Sequence, residues 1–135
     1  MIFATWDDRF LLGVRQLDEN HQRLFRLLNI INDQLAGKVP SDNPTALLNA
    51  LSSLSVFYFG HEERWMAKIS FPELSEHKEE HDLLVSTIAD VQLSYSQASS
   101  GNEVLLLFLN GWIHRHFNFA NERLRLFMLH DKPGV

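Results

Sequence analysis

The chain has 135 residues, no cysteine and a formal net charge of −5 at pH 7. A chain of this length can bury a core without disulfides, and we expect one domain over residues 1–135. The acidic balance argues against nucleic acid and anionic lipid as main partners, since both favour basic patches. The longest apolar run, residues 104–109, is too short to span a membrane, and the N-terminus lacks the pattern of a secretion signal. We therefore expect a cytoplasmic protein whose metal ligands would be His, Glu, Asp or Tyr.

The first predicted elements are an N-terminal arm and a helix. The arm covers residues 1–17 and includes Trp6 and Gly13. The helix is predicted over about residues 18–36, with Asp18 as its N-cap and Gly37 as its C-terminal stop. Leucines at helical spacing form an apolar stripe along it, and His21 lies on that stripe.

Three further helices are predicted, over about residues 45–68, 73–97 and 103–129. Pro44 ends the loop before the second helix and suits a first helical turn. Phe71 and Pro72 lie in a short interruption between the second and third helices. Apolar residues recur every three or four positions in all four helices. This spacing predicts an all-α fold, an up-down-up-down four-helix bundle with an N-terminal arm.

Polar residues interrupt the apolar stripes at alternating ends of successive helices. They are His21, Tyr58, Glu62, His77, His81, His116 and Asn121. In an up-down-up-down bundle, this alternation puts them at one height. Burying a polar group without a partner costs about 2–7 kcal/mol, whereas a small domain is stable by only about 5–15 kcal/mol. The pattern therefore predicts a metal site in the interior of the bundle.

The spacing supports a metal-binding role strongly for some of these residues and weakly for others. His77 and His81 lie four residues apart and face the same way on a helix, so they can chelate one ion. Glu62 lies in the charged segment HEER, which normally forms a solvated face, so its spacing alone leaves its role open. Histidines off the stripes are predicted to lie on the surface: His61, His114 and His130.

Four segments carry more specific motifs: LDENH at 17–21, FGHEERWM at 59–66, FPELSEHKEEHD at 71–82 and WIHRHF at 112–117. With these motifs, the chain resembles the bacterial single-domain hemerythrins over nearly its whole length. The resemblance implies a four-helix bundle that binds O2 at a non-haem di-iron site, with an oxo or hydroxo bridge between the irons. It also implies five metal ligands: His21, Glu62, His77, His81 and His116.

Two positions depart from the family pattern. Tyr58 stands where the second-helix motif of the family has a histidine, and Asn121 stands where the family has a bridging aspartate. By the resemblance, the half of the site that takes three histidines is complete: His77, His81 and His116. The half that binds O2 keeps only His21 of its two histidines, and Glu62 remains as the only bridging carboxylate.

These departures leave four interpretations open. In the first, Tyr58 ligates a modified di-iron centre as a phenolate and replaces the charge missing at Asn121, which suits redox sensing, peroxide or NO chemistry, or iron holding. In the second, the three histidines, with or without Glu62, bind one ion of iron, zinc or manganese. In the third, Asn121 or water completes a conventional O2 carrier. In the fourth, the domain is metal-free and Tyr58 packs as a core aromatic residue.

The aromatic content bears on the ligand. The chain has 10 Phe and 3 Trp, which suggests a dry pocket around the site. Its predicted walls are Phe25, Phe59, Trp112 and Phe117. Such a pocket favours O2 or another small ligand such as peroxide, NO or an anion. The sequence assigns no catalytic residue and no protein partner, and it favours a binding or sensing protein over an enzyme.

Overall fold

The computed structural model describes residues 5–35, 44–94 and 100–130. This part of the chain is all-helical, as predicted. The elements are α1 (Arg15–Leu35), α2 (Pro44–Lys68), α3 (Leu74–Ser94), α4 (Ser100–Arg115), a π-helical turn (His116–Ala120) and α5 (Asn121–His130). The last three are continuous and form what we call the fourth helix. The predicted stop at Gly37 and the predicted helix ends at 36 and 97 lie outside the described residues.

The four helices pack in a ring. Helix α1 packs against α2, α2 against α3, α3 against α4, and α4 against α1. Early residues of α1 and α3 contact late residues of α2 and the fourth helix, as His21 does with Glu62 and Glu80 with His116. The helices therefore run alternately up and down. No helix in the described ranges is long and apolar enough to cross a membrane.

Two apolar clusters fill the bundle, one on each side of a layer of buried polar residues. The large cluster includes Leu28 and Ile31 of α1 and Ile88 of α3. The small cluster includes Met66 of α2 and Leu124 of α5. Each fully buried aliphatic side chain contributes roughly 1.5–3 kcal/mol, so the two clusters together fix the height and direction of the helices around the polar layer.

The junction between the arm and α1 differs from the prediction. Helix α1 begins at Arg15, and Asp18 is not its N-cap but lies in its first turn. The Asp18 carboxylate accepts hydrogen bonds from the backbone N–H groups of Leu12 at 2.7 Å and Gly13 at 3.1 Å. Gly13 has a φ of +84°, a conformation that a residue with a side chain rarely adopts. Asp18 therefore fastens the arm to the helix, and the N-cap prediction was wrong.

The π-helical turn sets the relation between His116 and Asn121. The Asn121 N–H bonds to the His116 carbonyl, five residues back. In an α-helix, five steps of about 100° place a residue about 140° away from the first. The wider turn brings Asn121 back toward the face of His116, and both side chains are buried. The sequence analysis did not predict this turn.

Candidate metal centre

Five ionisable side chains meet in the polar layer between the two apolar clusters. All are at most 3% exposed: His21, Glu62, His77, His81 and His116. They come from α1, α2, α3 and the π turn, because each helix carries its polar residue at the height where its neighbours carry theirs. The structure thus brings together five of the six side chains predicted to bind metal, the sixth being Tyr58.

Glu62 lies at the centre of the polar layer. Its Oε1 is 2.6 Å from Nε2 of His77 and 3.4 Å from Nε2 of His81. Its Oε2 is in close contact with Nε2 of His21. The two carboxylate oxygens therefore face different histidines, which is the arrangement required of a carboxylate that bridges two ions.

The charge of Glu62 follows from its surroundings. Burial by itself raises the pKa of this carboxyl group, but the charge of His21 and its hydrogen bond lower it, and the nearby nitrogens of His77 and His81 lower it further. The net result is a pKa well below the ordinary value. Glu62 is thus an anion at neutral pH and an attractive ligand for a cation.

Two histidines are oriented from outside the layer by carboxylates. Nδ1 of His81 donates to Glu63 at 2.8 Å, and Nδ1 of His116 donates to Glu80 at 3.0 Å. A hydrogen bond at one ring nitrogen leaves the other, Nε2, turned toward the layer as a metal ligand. Burial lowers the pKa of His116 to about 3, so its imidazole is neutral at pH 7.

His81 has the opposite electrostatic balance in the metal-free protein. Burial lowers its pKa, but contacts with the carboxylates of Glu62 and Glu63 outweigh burial, and the net pKa is raised. When a cation binds, the proton on Nδ1 can stay with Glu63, whereas a proton on Nε2, the nitrogen on the side of Glu62, would have to leave. Metal binding at this layer should therefore release protons.

The hydrogen-bond geometry shows that the layer is unsatisfied. Among the described residues, the buried atoms of this layer that have no hydrogen-bond partner are Nδ1 of His21, Oε1 of Glu62, both ring nitrogens of His77, Nε2 of His81, Nε2 of His116 and Oδ1 of Asn121. Oε1 of Glu62 and Nε2 of His77 are close in distance but are not aligned as a hydrogen bond. An unsatisfied buried polar group costs about 1–3 kcal/mol, so this many in one layer calls for a cation.

The donor set also has the dimensions of a metal site. The ligand atoms of Glu62, His77, His81 and His116 all lie within 4.8 Å of one another. Opposite ligands of one ion, each bound at about 2.0–2.2 Å, are about 4 Å apart, so small side-chain movements are enough. Nitrogen and carboxylate donors without sulfur suit iron, zinc or manganese.

The side of the layer near His21 has fewer donors. Asn121 is fully buried, and its Nδ2 donates to the backbone carbonyl of Phe10 at 3.1 Å. That hydrogen bond makes Oδ1 the free end of the amide. Tyr58 lies one helical turn before Glu62, is 7% exposed and belongs to the large apolar cluster.

Aromatic rings enclose the layer, as the sequence predicted. Phe59 stacks on His81, with ring centroids 3.9 Å apart, and Trp112 stacks on His116 at 4.6 Å. Phe117 presents an edge to His21 at 4.9 Å. Phe25 packs behind Phe117 at 4.8 Å. These contacts place apolar ring surface directly against the imidazoles of the layer.

The histidines predicted to lie on the surface divide into two groups. His114 and His130 are exposed, which confirms the prediction. His61 is half-buried: it lines a groove on the surface, but its Nδ1 lies 3.3 Å from Nδ2 of Asn20, so it is less exposed than predicted. The cause is the N-terminal part of α1, which covers that side of α2.

Sequence reasoning missed the two carboxylates that orient histidines. Glu63 follows Glu62 directly, and Glu80 precedes His81, so both were visible as members of charged motifs. Their partners lie on other helices, 18 residues away for Glu63 and 36 for Glu80. Spacing along one helix therefore carries no signal for either pair.

A four-helix bundle with a buried layer of histidines around one glutamate is a metal-binding protein of the helical-bundle class. Residues 12–125 match the Hemerythrin HHE cation binding domain. The chain therefore belongs to the hemerythrin family, and this membership together with the donor set supports non-haem iron as its cofactor.

Relatives with curated names match most of the chain. Bacteriohemerythrin of Methylococcus capsulatus is 30% identical over 118 residues, covering 86% of this chain and 89% of the relative. Bacteriohemerythrin of Clostridium acetobutylicum is 28% identical over 118 residues, covering 83% and 91%. Myohemerythrin of Riftia pachyptila is 30% identical over 112 residues, covering 83% and 82%.

Proposed function

We propose that this protein holds a modified di-iron centre and uses it to bind O2 or a related small ligand. The main support for this proposal is the position of Glu62. Its Oε1 faces His77 and His81 and its Oε2 faces His21, so each oxygen could bind a different ion. Carboxylates that project inward from facing helices are the usual bridges between paired irons in helical bundles. Bound iron would supply redox chemistry and an open coordination position.

The first metal position would be formed by the three-histidine cluster, His77, His81 and His116, with Oε1 of Glu62. The outer carboxylates of Glu63 and Glu80 would hold two of these imidazoles in the binding orientation. Stacked rings of Phe59 and Trp112 would keep water away from them.

The second metal position would be formed by His21, Oε2 of Glu62 and Oδ1 of Asn121, with Tyr58 as a further oxygen donor. Asn121 is neutral where the family has an aspartate, and a Tyr58 phenolate would restore the missing ligand charge. A phenolate is a hard anionic donor and favours Fe(III) over Fe(II). A site of this kind suits redox sensing, peroxide or NO chemistry better than reversible O2 carriage.

The test is the metal content of aerobically purified protein, measured with its visible absorption spectrum. Two irons per chain with a broad phenolate-to-Fe(III) band would support the proposal. The band should disappear in Tyr58→Phe and persist in Tyr95→Phe, the matched control at the only other tyrosine of the chain. Two irons without a band that depends on Tyr58 would remove the tyrosine from the ligand set.

A single-metal site is the second candidate function. The cluster of close ligand atoms, within 4.8 Å, contains Glu62 and the three histidines 77, 81 and 116 but not His21. On this alternative, the protein is a mononuclear metal-binding module without reversible O2 carriage. It would hold one ion per chain, lose it in His81→Ala and keep it in His21→Ala.

We further propose that the protein binds or senses its ligand rather than turning over a substrate. The aromatic rings that pack directly on the imidazoles support a small diatomic, peroxide or anionic ligand. Its location in the cytoplasm remains a prediction.

A further inference from the structure

A groove on the outside of the bundle has two lining residues, Trp112 and Glu80, that contact His116 of the candidate metal centre. It lies between α3 and the fourth helix and has a volume of about 250 Å³. Its lining residues are Glu80, Leu83, Trp112, Arg115, Phe119 and Arg123. The proposed function does not use this groove.

The floor of the groove is in direct contact with a proposed metal ligand. The Trp112 ring stacks on His116 with centroids 4.6 Å apart and an interplanar angle of 8°. Its Nε1 donates to the Glu80 backbone carbonyl at 2.9 Å, which fixes the plane of the ring. The Glu80 side chain in turn holds Nδ1 of His116 at 3.0 Å. An unbroken π contact thus runs from the groove to an imidazole of the polar layer.

The walls of the groove combine exposed apolar side chains with charged ones. Leu83 is 48% exposed and Phe119 is 61% exposed. Arg123 pairs with Glu73 at 2.9 Å, whereas Arg115 makes no ion pair within the described part of the chain. The lining also contains one carboxylate, Glu80, which is bonded to His116, and Arg123 is paired with Glu73. Arg115 is therefore the cation of this groove that can bind an anionic group, and the exposed apolar walls suit a flat apolar body next to that group.

We propose that this groove is the electron entry site of the protein, where a planar aromatic reductant with an anionic group docks against the part of Trp112 that lines the groove, the residue being 2% exposed. The proposal rests on the proposed function, since the electron acceptor is ferric iron. In each step, the reduced ring loses one electron and one ferric ion becomes ferrous. No bond to the protein forms or breaks, and any proton that the oxidised ring loses goes to water at the groove mouth.

The size of the groove restricts the donor. Small-molecule sites usually enclose about 300–1,000 Å³. A volume of about 250 Å³ falls just below this range, so it takes one ring system and not a whole dinucleotide. Flavin mononucleotide has a fused aromatic ring and one phosphate group, and it is the probe we choose.

A second groove of the same chain serves as the internal control. It has a volume of about 280 Å³ and is lined in part by Arg64, Trp65 and Lys68. Its composition resembles that of the first groove, and the Arg64 and Arg115 guanidiniums each lie over a glycine four residues back. Within the described residues, Trp65 makes no ring contact with a histidine of the polar layer, so this groove lacks the π contact.

The first experiment measures binding of oxidised flavin mononucleotide to metal-free protein by quenching of flavin fluorescence. A tenfold loss of affinity corresponds to about 1.4 kcal/mol of binding free energy. We expect Arg115→Glu to weaken binding at least about tenfold and the matched control Arg64→Glu to change it less than about twofold. Equal losses in both variants, or no binding by the wild-type chain, would overturn the groove as the docking site.

The second experiment follows anaerobic reduction of the oxidised, iron-loaded protein by reduced flavin mononucleotide in a stopped-flow instrument. Arg115→Glu should slow reduction about tenfold at subsaturating flavin, and Arg64→Glu should not. At saturating flavin, where weaker docking no longer limits the rate, Trp112→Leu should slow reduction, and Trp112→Phe, which keeps a ring on His116, should restore most of the rate. Unchanged reduction in Trp112→Leu would refute the electron path.

The two experiments also separate this proposal from the proposed function. If the purified chain retains no iron, the proposed function and electron entry both fail, and flavin binding to the metal-free chain then reports a ligand groove without redox role. If the chain holds iron but Arg115→Glu is reduced as fast as wild type, only electron entry fails.

Discussion

The Glu80 carboxylate should control the metal affinity of His116 although it is expected to touch no metal. Its Oε1 accepts the Nδ1–H of His116 at 3.0 Å, and this contact lowers the pKa of Glu80. Glu80→Ala removes the acceptor, so the buried imidazole loses its fixed orientation and an N–H is left without a partner. Glu80→Gln keeps an oxygen acceptor but loses the charge.

The expected loss can be estimated from the contact. Removing an outer hydrogen-bond partner of a ligating histidine typically lowers metal affinity about 10–100-fold, or about 1.4–2.7 kcal/mol. The Glu80 side chain is 34% exposed, so solvent screens its charge, and we expect the lower end, about tenfold, for Glu80→Ala. Because hydrogen bonds to ionised acceptors are about twice as strong as neutral ones, Glu80→Gln should lose only about two- to threefold.

The assay is competition between the metal-free protein and a chromophoric chelator for ferrous iron, at pH 7 without oxygen. Glu73→Gln is the control, since Glu73 is 43% exposed and pairs with Arg123 rather than with a histidine. Affinity within about twofold of wild type in Glu80→Ala would refute the orienting role. A loss in Glu80→Gln as large as in Glu80→Ala would show that charge, not orientation, matters.

Three further predictions concern the stability of the metal-free protein, measured by urea unfolding. Because the folded pKa of Glu62 lies below its unfolded value of about 4.3, its stabilising contribution is present above that pH and is lost as pH falls through the folded pKa. Glu62→Gln should remove this part of the acid dependence, and an unchanged profile would contradict the assignment. Phe117→Ala should lower the free energy of unfolding by about 3–5 kcal/mol, since the ring is 1% exposed and packs on His21. A loss below about 1.5 kcal/mol would show that neighbouring side chains move in and fill the space left by the ring. Asp18→Ala should cost about 1–3 kcal/mol by leaving the N–H groups of Leu12 and Gly13 without their acceptor, and Asp18→Asn, which keeps one oxygen, should lose less.

Much of the fold was predictable because its signals are local. Spacings of three and four predicted four helices, and a polar residue on each stripe predicted which positions face the interior. The start of α1 was not predictable in this way. Asp18 is a common N-cap residue, but the arm folds back so that its carboxylate binds the N–H groups of Leu12 and Gly13 instead.

The fourth helix shows a second limit of local signals. No local feature of the segment from His116 to Ala120 predicts the π turn, since such turns are rare single-turn insertions in α-helices. Contacts with the arm accompany it: Arg9 bonds to Asn118 at 2.6 Å, and Asn121 bonds to the Phe10 carbonyl 111 residues away in the chain. These contacts decide which end of the Asn121 amide is free.

The sequence by itself determined the all-α fold and the residues that share one height, since a helix repeats every 3.6 residues and each interruption of its stripe is visible in a short window. It determined as well that the donors are nitrogen and oxygen atoms. Only the tertiary structure decided that Glu62 turns one oxygen to each group of histidines and that Glu63 and Glu80 hold two imidazoles from outside. The physical reason is that periodicity specifies a face of a helix, whereas atom-to-atom distances between helices depend on how the apolar clusters set their height and rotation.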